Sequence, residues 1–172
     1  MTAPEFSRPI DRRRISPQPF ELEATPSERT ALAARFGLVA IEQLAARVQL
    51  AADGDAVAVE GRLTAQIVQS CAVSGEDLPV SIDEPLALRF VPDVAETADE
   101  PDEEIELDAS ELDEIAFTGH SFDLGEAVAQ SLALAIDPYA TGPEAERARR
   151  EAGIGGEEAS GPFAALAALK KD

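Results

Sequence analysis

Alternating apolar and polar positions run through the middle of the chain and predict β-strands. Leu44, Ala46, Val48 and Leu50 are spaced two residues apart and would share one face of a strand. An Asp-Gly pair follows at 53–54 and is a strong signal for a tight turn. Beyond it the same face resumes at Val57, Val59, Gly61, Leu63, Ala65 and Ile67. This pattern predicts an antiparallel hairpin.

A third alternating run extends from Leu78 to Phe90 and is interrupted once, at Pro85. Proline has no N–H to donate to a neighbouring strand, so Pro85 indicates either a bulge or an edge position. The three runs together predict an antiparallel meander with one apolar face. Such a sheet needs helices on that face to bury it.

A helix is predicted directly before the first of these strands. Thr25 can act as its N-cap, Pro26 suits the first turn, and Glu28 completes a capping box. Gly37 then marks the C-terminal end, where glycine is favoured because it adopts a left-handed conformation at little cost.

A second helix is predicted between Ser121 and Pro138. Ser121 is the expected N-cap and Pro138 the stop. An apolar stripe at four-residue spacing runs along it through Leu124, Val128, Leu132 and Ile136. We expect this stripe to cover the apolar face of the sheet.

The predicted fold class is therefore α+β: an antiparallel β-meander sheet packed by one or two helices, with an acidic loop and a flexible C-terminal tail. The element order divides the chain into an extended, solvated arm, the α+β domain, a linker and a short amphipathic segment, at residues 1–19, 20–139, 140–161 and 162–172. An isolated helix as short as the last segment is marginal, so it needs a surface to dock on.

The charge of the chain is strongly negative and uneven. The net charge is −20, and residues 93–114 contain twelve acidic residues and no basic one. We expect this acidic run to form a mobile loop. An acidic surface disfavours tight binding of bare nucleic acid, whose affinity comes largely from Lys and Arg. A basic protein is the natural partner of such a surface.

Cys71 is the single cysteine, so the chain has no internal disulfide and suits a reducing compartment. A zinc site needs about four ligands, and the single histidine, His120, lies far away in the sequence. A catalytic thiol needs a base or a positive charge nearby, whereas Glu76 and Asp77 should raise the thiol pKa. We therefore expect Cys71 to be a half-buried thiol where a strand enters a turn, with no metal and no cofactor.

The remaining sequence signals give little support for an enzyme. The chain lacks a glycine-rich phosphate loop and a nucleophile elbow. Its aromatic residues are not interleaved with basic ones, as a surface that stacks RNA bases requires. No apolar run approaches the roughly 20 residues of a membrane helix, and no hydrophobic region follows the N-terminal arginines. The expected location is the cytoplasm.

Four stretches of the chain resemble the bacterial YceD family. They are PFELEATPSER, VEGRLTAQIVQSCAVSGEDLPVSI, FDLGEAVAQSLALAIDP and the terminal GPFAALAALKK, in that order. The resemblance implies a non-catalytic role in the synthesis, processing or accumulation of large-subunit ribosomal RNA. Many members of the family carry two cysteines in the turn where this chain has Cys71 and Ser74. The resemblance therefore makes Cys71 and Ser74 the remnant of a knuckle that keeps its turn without a metal.

The expected partner is a basic ribosomal or RNA-processing protein, with weak direct RNA contact through Arg12, Arg13 and Arg14 as the second possibility. The predicted partner surface combines acidic and apolar positions, namely Asp102, Glu103, Glu104, Glu106, Phe163, Leu166 and Leu169. The apolar tail has a competing interpretation, in which it docks on the sheet of its own chain. The alternative function is a metal-dependent nuclease or RNA-modifying enzyme that uses Asp and Glu residues.

Overall fold

The computed structural model describes residues 4–93 and 114–153. In chain order its elements are β1 (Pro9–Asp11), a 3₁₀ turn (Arg12–Arg14), β2 (Phe20–Glu23), α1 (Pro26–Phe36), β3 (Ala40–Asp53), β4 (Ala56–Ser70), β5 (Asp77–Pro92), β6 (Glu114–Phe117), β7 (Ser121–Asp123), α2 (Leu124–Ala135) and α3 (Ala145–Glu151). Five strands form one sheet in the order β2-β3-β4-β5-β6, and β1 pairs with β7 in a second, small sheet. The α+β class is confirmed.

The long strands β3, β4 and β5 form the predicted antiparallel meander, and β2 extends it at one edge. The fifth strand differs from the prediction, because β6 runs parallel to β5, from Arg89 opposite Glu114 to Pro92 opposite Phe117. A parallel pair needs a connection of a dozen or more residues, and residues 94–113 exceed that length. The long connection makes this parallel pairing geometrically accessible.

Both long helices cover the same face of the sheet. Helix α1 packs against β3, and α2 packs against β4 and β5. The alternating strand residues and the helix stripe meet in one buried cluster, which includes Leu44, Val59, Leu63, Leu124 and Leu132. The predicted apolar face and its helical cover are thus confirmed.

The predicted capping of α1 is confirmed in full. The Thr25 side chain accepts the Glu28 N–H, and the Glu28 carboxylate accepts the Thr25 N–H at 2.7 Å. Gly37 closes the helix in the left-handed region at φ 66°. These local interactions lie within a few residues of each other, so the sequence pattern is sufficient to predict them.

The start of α2 is not where the sequence pattern placed it. Ser121 belongs to β7, and Asp123 is the N-cap, with its Oδ1 atom accepting the Glu126 N–H at 3.1 Å. Residues 121–123 are held extended by their pairing with β1, so the helix cannot begin until Leu124. Ile136 is the C-cap of the helix.

The N-terminal segment differs most from its prediction as a solvated arm. Phe6 is fully buried, and the Leu124 N–H donates to the Arg8 carbonyl at 3.1 Å. The backbone crosses the first turn of α2 so closely that a Cβ atom at Gly125 would lie 2.5 Å from the Phe6 carbonyl oxygen. These partners lie more than a hundred residues apart in sequence, which is why local patterning did not reveal them.

Pro85 lies at an edge rather than at a bulge. The β4–β5 register is uninterrupted from Asp77 to Phe90, and the one irregularity of the β3–β4 pairing lies between Ile41 and Gln43. On its other side β5 is paired only over Arg89–Pro92 within the described residues. Over residues 4–93 and 114–153 the edge alternative is therefore the correct one.

The predicted linker at 140–161 contains a short helix, α3, whose first residue Ala145 is buried. The predicted acidic loop falls largely, and the amphipathic C-terminal segment wholly, outside the described residues. Within the described ranges, no helix is long and apolar enough to cross a membrane.

Candidate functional site

Cys71 follows the last residue of β4 and opens the turn that leads to β5. Its N–H donates to the Glu76 carbonyl at 2.7 Å, and its carbonyl accepts the Gly75 N–H at 3.0 Å. Gly75 sits at φ 74°, a conformation that favours glycine. We call residues 71–76 the Cys71 turn. Its backbone is closed by hydrogen bonds of its own.

A second segment, residues 137–144, lies against this turn, and we call it the docking loop. The Ala72 N–H donates to the Ala140 carbonyl at 3.0 Å. Behind the turn, the buried Gln69 side chain donates its Nε2–H to the Asp137 carbonyl at 2.9 Å. The docking loop is thus fastened to the end of the β4–β5 hairpin.

The sulfur of Cys71 is part of this fastening. Its Sγ atom accepts the N–H groups of Ser74 and Gly142, each at 3.4 Å, and the residue is only 4% exposed. The Glu76 Oε1 atom accepts the Glu144 N–H at 3.2 Å. The Cys71 thiol and the Glu76 carboxylate therefore each accept a hydrogen bond from a backbone N–H of the docking loop.

The environment lowers the pKa of Cys71 to about 6, through hydrogen bonding with the Ser74 side chain first and then with the Gly142 and Ser74 N–H groups. The expectation that neighbouring carboxylates raise this pKa was wrong. Donors aimed at the sulfur stabilise the thiolate directly. One of the expected neighbours, Glu76, directs its carboxylate to the docking loop instead.

The residues at the turn do not fit a structural zinc site. Ser74 stands where a second thiolate would be needed, and its Oγ atom accepts the Glu76 N–H at 3.4 Å. His120 lies in the turn before β7, where its carbonyl accepts the Arg12 N–H. Among residues 4–93 and 114–153, no three His, Cys, Asp or Glu side chains are grouped as metal ligands. What this turn can do chemically is hold the docking loop.

The N-terminal arginines pair with carboxylates of their own chain. Arg12 donates to the Asp55 carbonyl at 2.8 Å and to its Oδ1 atom at 3.2 Å. Arg13 makes two hydrogen bonds to Asp11, each of 3.1 Å, which hold the pKa of that carboxyl at about 2. Two of the three arginines predicted to contact RNA thus have intramolecular partners.

A groove that the sequence did not reveal lies between β5 and the last turns of α2. It encloses about 470 Å³ and is lined by Glu84, Pro85, Leu86, Ala87, Leu88, Ser131, Leu134 and Ala135. Leu134 is 89% exposed there. The one sequence signal for this groove was that Leu134 does not belong to the apolar stripe of α2. A leucine outside the stripe faces away from the core.

Seven predicted partner-binding residues lie outside the described residues: Asp102, Glu103, Glu104, Glu106, Phe163, Leu166 and Leu169. Their assignment stays a prediction. Cys71 and Ser74, in contrast, are brought together as expected for one turn.

A family model described as "Large ribosomal RNA subunit accumulation protein YceD" matches residues 59–170. The chain belongs to the YceD family. The YceD match starts within β4, includes the Cys71 turn, β5, α2 and the docking loop, and ends at residue 170, within the C-terminal segment. No curated protein and no solved structure matches the chain. The parts that form the turn and the groove therefore belong to the YceD-like region.

Proposed function

We propose that this protein is a non-catalytic factor that supports the synthesis, processing or accumulation of large-subunit ribosomal RNA, and that it acts by binding a basic protein. The observation that carries the proposal is the YceD family match over residues 59–170. The family description names accumulation of this RNA, and the partner is inferred from charge.

The charge distribution favours a protein partner over bare RNA. The net charge is −20, and several arginines of the domain are already paired with carboxylates. Arg8 pairs with Glu28, Arg35 with Glu126, and Arg89 with both Asp53 and Glu114. Binding of RNA requires cations that are free to displace counterions. Paired arginines serve that purpose poorly, whereas the excess carboxylates complement a basic surface.

The non-catalytic part of the proposal rests on the family description, which names the accumulation of an RNA and no reaction. The surroundings of Cys71 agree with a structural role, because its buried sulfur accepts the N–H groups of Ser74 and Gly142.

The proposed electrostatic contact is the acidic run that contains Asp102, Glu103, Glu104 and Glu106. Charges at the rim of an interface chiefly accelerate association and lose strength with salt, because exposed charges are screened over about 10 Å at 0.1 M. We therefore expect these residues to set the rate of encounter with the basic partner.

Affinity capture from cells with the full-length protein tests this proposal. We expect basic ribosomal or RNA-processing proteins to be captured after nuclease treatment, and capture to weaken when the four acids are changed to their amides. The matched control removes the same charge from exposed positions of the described domain, through Glu23→Gln, Glu42→Gln, Glu60→Gln and Asp77→Asn.

The control variant should retain capture. Loss of all captured proteins upon nuclease treatment would contradict a direct protein partner. Metal-dependent cleavage of RNA by the purified protein would contradict the non-catalytic assignment.

A further inference from the structure

We propose that residues 162–171 of this chain dock in the groove between β5 and α2, with Phe163, Leu166 and Leu169 facing Leu134 and the β5 edge. This inference concerns the organisation of the domain and does not depend on the identity of a partner. It selects self-docking over the alternative that the tail anchors another protein.

The groove has an apolar wall that lacks a cover within the described residues. Leu134 is 89% exposed, in a helix whose other leucines at 124 and 132 are fully buried. Leu88 is half-buried and lines the β5 wall, and Ala135 lines the α2 wall next to Leu134. Other apolar side chains that cover these residues would remove them from water and so stabilise the folded chain.

The β5 edge of the groove disfavours an added strand. Pro79 and Pro85 lie on β5, and the register with β4 runs through both without a shift, as expected where their ring nitrogens face the free edge. Because these two positions have no N–H groups, a strand added at this edge could not form its full set of backbone hydrogen bonds with β5. The groove is therefore suited to side chains from a helix rather than to strand addition.

The C-terminal segment has the pattern that such a groove requires. Phe163, Leu166 and Leu169 recur every three residues, as on one side of a short helix. Lys170 and Lys171 follow directly, in a chain whose net charge is −20. Glu84 lines the groove and is the charge complement of this pair.

The length of chain before the segment is comparable with the distance to be covered. The docking loop lies against the far end of β5, because a Cβ atom at Gly142 would be 2.4 Å from the Leu78 side chain. From Leu78 to Leu86 the strand covers about 26 Å. The path from Gly142 to the segment contains α3, which is about 10 Å long, and residues 154–162, which span up to about 30 Å when extended. The extended stretch alone exceeds this length of strand.

A cross-linking experiment on the full-length chain tests the docking. In a Cys71→Ser background, Leu134→Cys and Leu166→Cys are introduced together and mildly oxidised. We expect an intramolecular disulfide in the monomer, formed at least ten times faster than in the matched control, which pairs Leu166→Cys with Tyr139→Cys. Tyr139 is 81% exposed and lies outside the groove, in the docking loop.

Hydrogen exchange of the full-length chain provides an independent readout. Replacement of Phe163, Leu166 and Leu169 by alanine should accelerate amide exchange in residues 84–88 and 131–135, and leave residues 26–36 unchanged. The control changes Ala164, Ala165 and Ala168 to serine, and it should change neither region.

Three results would overturn the proposal: disulfides that form only between molecules, equal oxidation rates for the two cysteine pairs, or unchanged exchange in the alanine variant. Disulfides between molecules would indicate docking on a second copy. Unchanged exchange together with lost partner capture would assign the tail to a partner. Failure of capture alone leaves the docking result intact, so the two proposals are tested separately.

Discussion

At the scale of single residues, the Cys71 sulfur serves as a hydrogen-bond acceptor for the docking loop. Sequence neighbours suggested a raised thiol pKa, yet one of the decisive donors, the Gly142 N–H, comes from 71 residues further along the chain. The lowered pKa could not be predicted locally, because it arises in part from a tertiary contact. Only the position of Cys71 in a turn was evident from the sequence.

The first prediction concerns the titration of Cys71, whose pKa is lowered from 9.0 to about 6. A lowered pKa means that ionisation stabilises the folded state: this contribution is complete above pH 9.0 and is lost as pH falls through about 6. We expect Ser74→Ala to shift the pKa upward, because Ser74 makes the largest contribution.

The ultraviolet absorbance of the thiolate against pH measures this pKa. Val73→Ala is the control, because it leaves the Ser74 hydroxyl in place. Equal titration midpoints for the Ser74→Ala variant and the unmodified protein would show that the hydroxyl does not tune the sulfur.

The second residue-scale prediction concerns Gly125, where the N-terminal backbone crosses α2. A Cβ atom there would lie 2.5 Å from the Phe6 carbonyl oxygen and 2.9 Å from the Arg8 nitrogen. Backbone atoms cannot yield as a side chain can, so Gly125→Ala should destabilise the fold by about 1–3 kcal/mol. Denaturant unfolding measures this, with the exposed Gln130→Ala as a control that changes stability by less than about 0.5 kcal/mol. An unchanged unfolding midpoint for Gly125→Ala would contradict the close crossing.

At the scale of elements, α2 and the meander were predictable because their patterns are local. Period-two alternation placed β3, β4 and β5, and a four-residue stripe placed the buried side of α2. The pairing of β1 with β7 escaped prediction, since three-residue strands carry too short a pattern and their partners are distant in sequence. The same pairing moved the helix start from Ser121 to Asp123.

The prediction for α2 concerns the centre of its stripe. Leu132 is fully buried, so Leu132→Ala removes apolar contacts and leaves a cavity, which should cost about 2–5 kcal/mol of the free energy of unfolding. Thermal or denaturant unfolding measures the loss against Gln130→Ala, which changes an exposed position of the same helix. A loss below about 0.5 kcal/mol would place the stripe at an interface instead of the core.

The prediction for the N-terminal segment uses the ion pair that joins it to α1. An Nη atom of Arg8 lies 2.7 Å from the Glu28 Oε1 atom. Hydrogen bonding to Arg8 lowers the Glu28 pKa from 4.5 to about 2. The resulting stability is complete above pH 4.5 and is lost as pH falls towards about 2. Because both side chains are partly exposed, we expect the pair to contribute about 1 kcal/mol to the free energy of unfolding at neutral pH. This is less than the lowered pKa alone would imply.

Unfolding between pH 2 and pH 5 should therefore show a smaller pH dependence in Glu28→Gln than in the unmodified protein. Glu21→Gln is the control, because the Glu21–Arg47 pair is exposed and its N–O distance is 3.6 Å. Identical pH profiles for Glu28→Gln and the unmodified protein would show that the pair does not stabilise the segment.

At the scale of the whole molecule, the fold class and the family were both predictable, whereas the site was predictable only in part. The order of the turn, α2 and the terminal segment carried the resemblance, and the match over residues 59–170 confirmed it. The groove between β5 and α2 was not predictable, because its walls come from elements more than forty residues apart in sequence. Its occupation by the C-terminal segment and the acidic contact with a basic partner are the proposals that remain to be tested.

The most direct test of the central claim is the ratio of large- to small-subunit ribosomal RNA in cells that lack the protein. We expect the ratio to fall, and the unmodified protein and Cys71→Ser to restore it, because the proposed role needs neither a thiol nor a metal. The amide variant at Asp102, Glu103, Glu104 and Glu106 should restore it less well than the charge-matched control. An unchanged ratio in cells without the protein would contradict the proposed role.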